Sequence, residues 1–113
     1  MASTTPAPYD LAALADDHLT AARKAEHGRS AELLIKEDPL LRQSVIALTE
    51  GSNLEEHNAP PAATLQVLRG RVRLTAVSGD VVLTQGQLHP IPQEKHGLVA
   101  LTDAAVLLTA VTA

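Results

Sequence analysis

The chain has 113 residues, 45% of them apolar, and Tyr9 is its only aromatic residue. This length and composition are those of one small domain with an aliphatic core. The absence of cysteine excludes disulfides, thiolate metal ligands and a cysteine nucleophile. A formal net charge of −4 and the lack of aromatic side chains argue against nucleic-acid binding. No apolar run approaches the roughly 20 residues of a membrane helix, so we expect a cytoplasmic protein without membrane contact.

The first part of the chain predicts a flexible tail and one helix. Residues 1–9 are mostly small, polar and proline-rich, and they lack the apolar groups that would offset the entropy cost of ordering. Asp10 is a suitable N-cap, and Leu11, Leu14 and Leu19 recur at helical spacing after it. Gly28 is a natural stop. We predict a helix over residues 10–26, within an N-terminal helical segment 10–28.

Residues 29–113 have a sequence pattern that is typical of β structure. Short apolar segments are separated by turn residues at intervals of about ten residues, which is typical of an all-β sandwich or barrel. The hairpin signal is clearest at Ser78-Gly79-Asp80. The predicted strand segments are Ala31–Lys36, Leu41–Leu48, Leu65–Leu68, Val72–Val77, Val81–Thr84, Leu88–Ile91, Leu98–Leu101 and Ala105–Val111.

Two of these segments are apolar on both faces, namely Val81-Val82-Leu83 and Val106-Leu107-Leu108. A strand that is buried on both sides has the barrel interior on one side and a covering helix or a partner subunit on the other. The N-terminal helix accounts for part of this pattern. Because a chain this short has little apolar area to spare, the pattern favours a homodimer.

The spacing of glycines and histidines between Gly51 and Gly70 is one part of a recognisable pattern. A glycine at 51 is followed after five residues by His57, and a further glycine stands at 70. In the second part, Gly86 is followed after five residues by Pro92, and His96 comes next. Each part alone is loose, because glycine and proline occur at the turns of any β protein.

Together and in order, the two parts resemble the two motifs of the cupin superfamily, and residues 64–74 are similar to the centre of a small bacterial cupin. The resemblance implies a cupin-type double-stranded β-helix, a jelly-roll barrel, over residues 29–113, with one N-terminal α-helix. The chain departs from the motifs at the metal ligands. The second motif-1 histidine falls on Ala59, the glutamate on Ala63, and the final asparagine of motif 2 on Ala100.

The metal ligands of the family are the two motif-1 histidines, the glutamate and the motif-2 histidine. Two of these four positions carry alanine here, so tight metal binding is not expected. A substitute site is conceivable. Glu55 lies two residues before His57, so on an extended strand the two would share a face. With His96 they would form a two-histidine, one-carboxylate site for a divalent transition metal such as iron, nickel, manganese or zinc. His89 is a further candidate if it faces inward.

Each histidine also has a structural interpretation. His57 precedes a proline-rich stretch and could be a loop residue, and His96 follows Glu94-Lys95 at a predicted turn. His89 lies in an apolar segment and is best explained as a packed, hydrogen-bonded side chain. His18 and His27 lie on or just after a helix that faces solvent, and we interpret both as ordinary surface residues.

One further pattern is an arginine stripe. Arg69, Arg71 and Arg73 alternate, so on a single strand they would share one face, which we interpret as a solvated outer surface.

Two classes of function fit these observations. The first is a non-catalytic binding or interaction module, whose mouth takes a small apolar molecule, with His57, His96 and His89 as its polar groups. A filled interior without a cavity would instead favour a structural or protein-interaction role. The second is a mononuclear metal-dependent enzyme of the oxygenase or isomerase type that uses His57 and His96, and the ligand or substrate stays open.

Overall fold

The computed structural model describes residues 7–36, 40–57 and 59–112, and at positions 56 and 57 it describes the backbone alone. In these residues one helix precedes nine strands. Their bounds are α1 Leu11–Lys24, β1 Arg29–Ile35, β2 Leu41–Leu48, β3 Asn53–His57, β4 Ala62–Arg69, β5 Arg71–Ala76, β6 Val81–Thr84, β7 Leu88–Pro90, β8 His96–Ala100 and β9 Ala104–Val111.

The strands form two antiparallel sheets that enclose the core. The five-stranded sheet has the order β1-β2-β9-β4-β7, and the four-stranded sheet has the order β3-β8-β5-β6. The core receives aliphatic side chains from both sheets, so the sheets pack face to face as the two layers of a jelly-roll barrel. Its buried members are Leu48, Leu65, Val67, Val72, Leu74, Leu83, Ile91, Leu98, Ala100, Ala104 and Val106.

Three glycines stand where the chain crosses from one sheet to the other. Gly51 joins β2 to β3, Gly70 joins β4 to β5, and Gly86 joins β6 to β7. Their φ angles are +84°, +74° and +89°, a region that residues with a Cβ seldom adopt. These are the motif glycines of the sequence, and the conformation explains why the barrel needs glycine at its corners.

All eight predicted segments correspond to observed strands, and the predicted hairpin at Ser78-Gly79-Asp80 joins β5 to β6. The ninth strand, β3, was not among the predicted segments. It contains Glu55 and Glu56 and follows turn residues, so its local composition does not indicate a strand. Its extended conformation comes from pairing with β8, which is a non-local cause. The predicted helix is confirmed and ends two residues earlier than expected.

Helix α1 packs on the outer face of the five-stranded sheet. The Asp10 side chain accepts a hydrogen bond from the Ala13 N–H at 3.1 Å, and Arg23 and Lys24 stand in the last turn, where cations interact favourably with the helix dipole. The interface uses mostly alanine, which lets helix and sheet approach closely: Ala15, Leu19 and Ala22 meet Ala47, Ala105 and Leu68. No helix of the described residues is long and apolar enough to cross a membrane.

His18 does not face solvent, contrary to the expectation from the sequence. Its Nδ1 lies 2.7 Å from Ser30 Oγ, and its Nε2 lies 2.9 Å from Glu32 Oε1. Since a carboxylate only accepts hydrogen bonds, Nε2 is the donor in this pair, and the neutral ring can accept from Ser30 through Nδ1. The ring therefore ties α1 to the edge strand β1.

The arginine stripe also differs from its prediction. Gly70 ends β4, so Arg69 belongs to the five-stranded sheet and its Nε donates to Asp16 Oδ1 on the helix at 3.1 Å. Arg71 and Arg73 lie on β5 in the other sheet, where both are exposed, as expected for a solvated outer face. Because the chain changes sheet at Gly70, the alternation of the three arginines in the sequence does not place them on one face.

Asp103 ties three elements together at the β8–β9 corner. Its Oδ1 accepts from the Glu50 N–H at 2.8 Å, and its Oδ2 accepts from Arg23 Nε on the helix at 2.8 Å. The Glu50 N–H and then the Arg23 guanidinium hold the pKa of this carboxyl below its ordinary value of 3.8.

We expect Asp103→Asn to lower the free energy of unfolding near pH 7 by about 1 kcal/mol or less, because solvent screens this exposed pair. A carboxyl whose pKa is lowered by folding stabilises the protein above its unfolded pKa, and the contribution is lost as the pH falls through the folded pKa. The deficit of the variant should therefore shrink below about pH 4. Urea unfolding at pH 7 and pH 2.5 measures this, and an equal deficit at both pH values would contradict the assignment.

Candidate functional site

His96 is the buried polar side chain of the described core, with 4% of its surface exposed. It begins strand β8, and its ring lines the barrel interior among aliphatic side chains. Its Nδ1 lies 3.1 Å from the Glu94 carbonyl oxygen. A carbonyl only accepts, so Nδ1 carries the proton and Nε2 holds the lone pair in the neutral ring. A buried imidazole held in one orientation is the strongest candidate for a functional group in the interior.

The interior around His96 is nearly filled. The cavity there has a volume of about 30 Å³, and its walls are aliphatic apart from the imidazole. This is about the space of one water molecule. The cavity is lined by Ile46, Leu54, Leu65, Leu74, Ile91, His96, Gly97, Leu98 and Leu108. The space that the described side chains leave beside His96 is therefore far below the usual volume of a small-molecule site.

The register of β3 and β8 brings two of the predicted site residues together at the level of the backbone. The Cα atoms of His57 and His96 are ladder partners, after a register shift between Leu54 and His57. The side chain of His57 lies outside the described residues. Glu55 is exposed and lines a groove with Thr75 and Val99, whereas His96 lines the interior cavity. The three-residue metal site therefore stays a prediction.

The alanines at the motif positions are part of the packing. Ala63 packs against the core cluster, Ala100 is buried in it, and Ala59 is half-buried. Among the side chains that the structure describes, no three His, Asp or Glu residues are grouped as metal ligands would be. The described donors, one imidazole among aliphatic groups, do not fit a resident divalent ion.

A larger space opens between β5–β6 and β7, which we call the mouth groove. Its volume is about 380 Å³, within the usual range for small-molecule sites. Leu74 lines both this groove and the interior cavity, so the two are separated by that side chain. The groove is lined by Leu74, Ala76, Ser78, Gly79, Asp80, Val81, His89, Pro90 and Pro92.

His89 is a polar residue of the mouth groove and is half-buried. It pairs with Leu65, a core residue, so it stands on the side of β7 that faces the barrel. Its Nδ1 lies 2.6 Å from the Pro90 carbonyl oxygen and must donate to it. The packed and hydrogen-bonded ring agrees with the structural interpretation of His89, and its place in the groove adds a binding role to test.

The loop between β7 and β8 is held from two sides. Glu94 Oε1 accepts from Ser78 N at 2.8 Å and from Ser78 Oγ at 2.5 Å. These two hydrogen bonds lower the pKa of the Glu94 carboxyl. Gln93 Nε2 donates to the Pro60 carbonyl at 2.9 Å. Sequence reasoning did not find Ser78, Glu94 or Asp80 as site residues, because turn residues on separate loops carry no spacing signal.

Known structures share this architecture. No family model matches the sequence, and no curated protein matches it. A conserved protein of unknown function from Streptococcus pyogenes is similar with a TM-score of 0.71 and 22% identity, covering 79% of this chain and 78% of that one. A cupin superfamily protein from Desulfitobacterium hafniense is similar with a TM-score of 0.69 and 15% identity, covering 75% and 78%.

A salicylate 1,2-dioxygenase from Pseudaminobacter salicylatoxidans is also similar, with a TM-score of 0.73 and 17% identity over 87% of this chain and 33% of that one. At these identities the likeness is one of fold. The chain has the cupin fold, a double-stranded β-helix with one N-terminal helix, as the resemblance to the cupin motifs implied.

Proposed function

We propose that the protein is a non-catalytic binding module that takes a small, largely apolar molecule in the mouth groove. Because the interior is nearly filled, binding at the mouth is what separates this proposal from the structural or protein-interaction role that a filled interior favours. Two further surface grooves, of about 380 and 420 Å³, are as large, so the observation that carries this proposal is the half-buried His89 in the wall of the mouth groove, beside an interior cavity of only about 30 Å³. The groove combines apolar walls with three polar side chains, Ser78, Asp80 and His89, which is the usual composition of a small-molecule site.

We expect His89→Ala to weaken binding in the mouth groove about tenfold, the effect of losing one hydrogen bond of roughly 1.4 kcal/mol. Suitable probes are cyclohexanol and benzyl alcohol, each a ring of apolar surface with one hydroxyl group, titrated by NMR. His27→Ala is the matched control, because His27 is an exposed histidine that does not line the groove. Equal affinities for wild type, His89→Ala and His27→Ala would contradict a role for His89.

The alternative is a mononuclear metal-dependent enzyme that uses His57, His96 and Glu55, with iron, nickel, manganese or zinc. The pairing of His57 with His96 in the β3–β8 ladder favours it. The place of the third proposed ligand argues against this alternative, since Glu55 lines a surface groove whereas His96 lines the interior cavity. Elemental analysis after growth with added metals decides between the proposals, since a bound stoichiometric metal that raises the melting temperature would displace the non-catalytic one.

We also propose that the protein is a bacterial, cytoplasmic homodimer that binds neither nucleic acid nor membrane. Support for the dimer comes from exposed aliphatic side chains. Leu33 on β1 is 46% exposed, Leu40 just before β2 is 51% exposed, and Val82 is 44% exposed. The helix covers the outer side of β9, where it packs on Ala105, but Val82 has no such cover. A monomer in sedimentation equilibrium at micromolar concentration would contradict the dimer.

A further inference from the structure

Ser78 and Glu94 form a contact across the barrel mouth, which we call the clasp. Ser78 stands in the turn between β5 and β6, and Glu94 stands in the loop between β7 and β8. One carboxylate oxygen, Glu94 Oε1, accepts both the N–H and the O–H of Ser78. Hydrogen bonds to an ionised acceptor are about twice as strong as neutral ones. The clasp therefore fixes the loop against the hairpin through two bonds to a single charged oxygen.

The same residue that is held by the clasp also orients His96. The Glu94 side chain binds Ser78, while the Glu94 carbonyl oxygen accepts from His96 Nδ1 at 3.1 Å. Only Lys95 stands between Glu94 and His96, so the loop cannot turn without changing this bond. The Glu94 carbonyl oxygen therefore favours the Nδ1–H form of His96 and holds that side of the ring.

The clasp also spans the mouth groove. Ser78, Gly79 and Asp80 lie on one wall, and His89, Pro90 and Pro92 lie on the other. Ser78 belongs to the first wall, and Glu94 follows two residues after the second wall ends at Pro92. Releasing the two hydrogen bonds would let the hairpin turn move away from the β7–β8 loop and widen the groove.

We propose that Ser78 and Glu94 are positioning residues, which orient the His96 imidazole through the Glu94 backbone and set the width of the mouth groove. The part concerning ligand access rests on the function proposed above. The part concerning His96 does not, because the hydrogen bonds that carry it involve no ligand. The lowered pKa of Glu94 agrees with the clasp, since hydrogen bonds from Ser78 favour the ionised carboxylate.

The test is NMR of the histidine rings in protein labelled with ¹⁵N-histidine and free of ligand. In the wild type we expect His96 in the Nδ1–H form, with this proton protected from exchange with water. In Ser78→Ala we expect the exchange to become about tenfold faster, because the loop loses its anchor. Glu94→Ala should have the same effect, and the conservative Glu94→Gln, which keeps an acceptor oxygen, should restore most of the protection.

Thr84→Ala is the matched control. Thr84 Oγ1 donates to Gln87 Oε1 at 3.2 Å in the turn after β6, so this variant loses a comparable hydroxyl bond at another turn. We expect it to leave the His96 signals unchanged. Unchanged His96 signals in both Ser78→Ala and Glu94→Ala would overturn the proposal, as would an equal change in Thr84→Ala. If His96 responds but cyclohexanol binds no variant, the proposed function fails and the positioning role stands.

Discussion

Gly70→Ala is expected to lower the free energy of unfolding by about 3 kcal/mol or more. A residue with a Cβ at φ +74° is strained by roughly 1–2 kcal/mol. In addition, the added methyl group would collide with the Asp103 carbonyl oxygen and would lie 2.7 Å from Thr102 Oγ1. The Thr102 hydroxyl is itself fixed, since it accepts from the Arg71 N–H at 3.0 Å, so the corner must move.

Gly86→Ala distinguishes the cost of the backbone conformation from the cost of the steric collision. Gly86 has a similar φ of +89°, but a methyl group there meets nothing within 4 Å. We therefore expect the free energy of unfolding of this variant to fall only by the cost of the strained backbone conformation, roughly 1–2 kcal/mol. Urea unfolding of both variants measures the difference. Equal losses would show that the close approach of the β4–β5 and β8–β9 corners at Gly70 contributes nothing.

Leu74→Ala has the second large effect, and it tests how the interior is filled. Leu74 is 2% exposed and is the side chain common to the interior cavity and the mouth groove. Removing it should cost about 2–4 kcal/mol, from lost burial and from the cavity left behind. For a chain of this size that corresponds to a melting temperature lower by roughly 10 °C or more.

The variant should also gain space for a small hydrocarbon. Removing Leu74 opens the interior cavity toward the mouth groove and enlarges the apolar space beside it. We expect cyclohexane to raise the melting temperature of Leu74→Ala more than that of the wild type, which can take it up at the mouth groove alone. Val77→Ala is the control, because Val77 directly follows the same strand β5 and is 82% exposed, so its loss should stay within about 0.5 kcal/mol. An equal rise in the two proteins would show that removing Leu74 adds no space for the hydrocarbon.

The fold could be predicted to a large extent because its signals are local. Apolar alternation marks a strand, and Gly51, Gly70 and Gly86 mark corners whose φ angles only glycine adopts readily. Strand β3 could not be predicted in this way, because only its partner β8 holds it extended. The grouping of Arg69 with Arg71 was wrong for a related reason, since the corner at Gly70 puts the two on different sheets.

The site could be predicted only in part. The resemblance to the cupin motifs selected His96, and the structure places it inside the barrel. The extent to which aliphatic side chains fill the interior depends on how the two sheets pack, which no motif encodes. The clasp joins residues 78 and 94 through a turn and a loop, and neither residue type at that separation indicates contact. The roles of His57 and Glu55 stay predictions.

The most direct measurement of where this barrel binds is chemical-shift mapping of the backbone amides during titration with cyclohexanol and benzyl alcohol. The mouth groove predicts that the saturable shifts cluster at Ala76, Val81 and His89, with affinities that fall in His89→Ala. Shifts centred instead on interior residues such as Ile46 and Leu108, or no saturable shifts at all, would contradict the proposal that this cupin fold takes its ligand at the mouth.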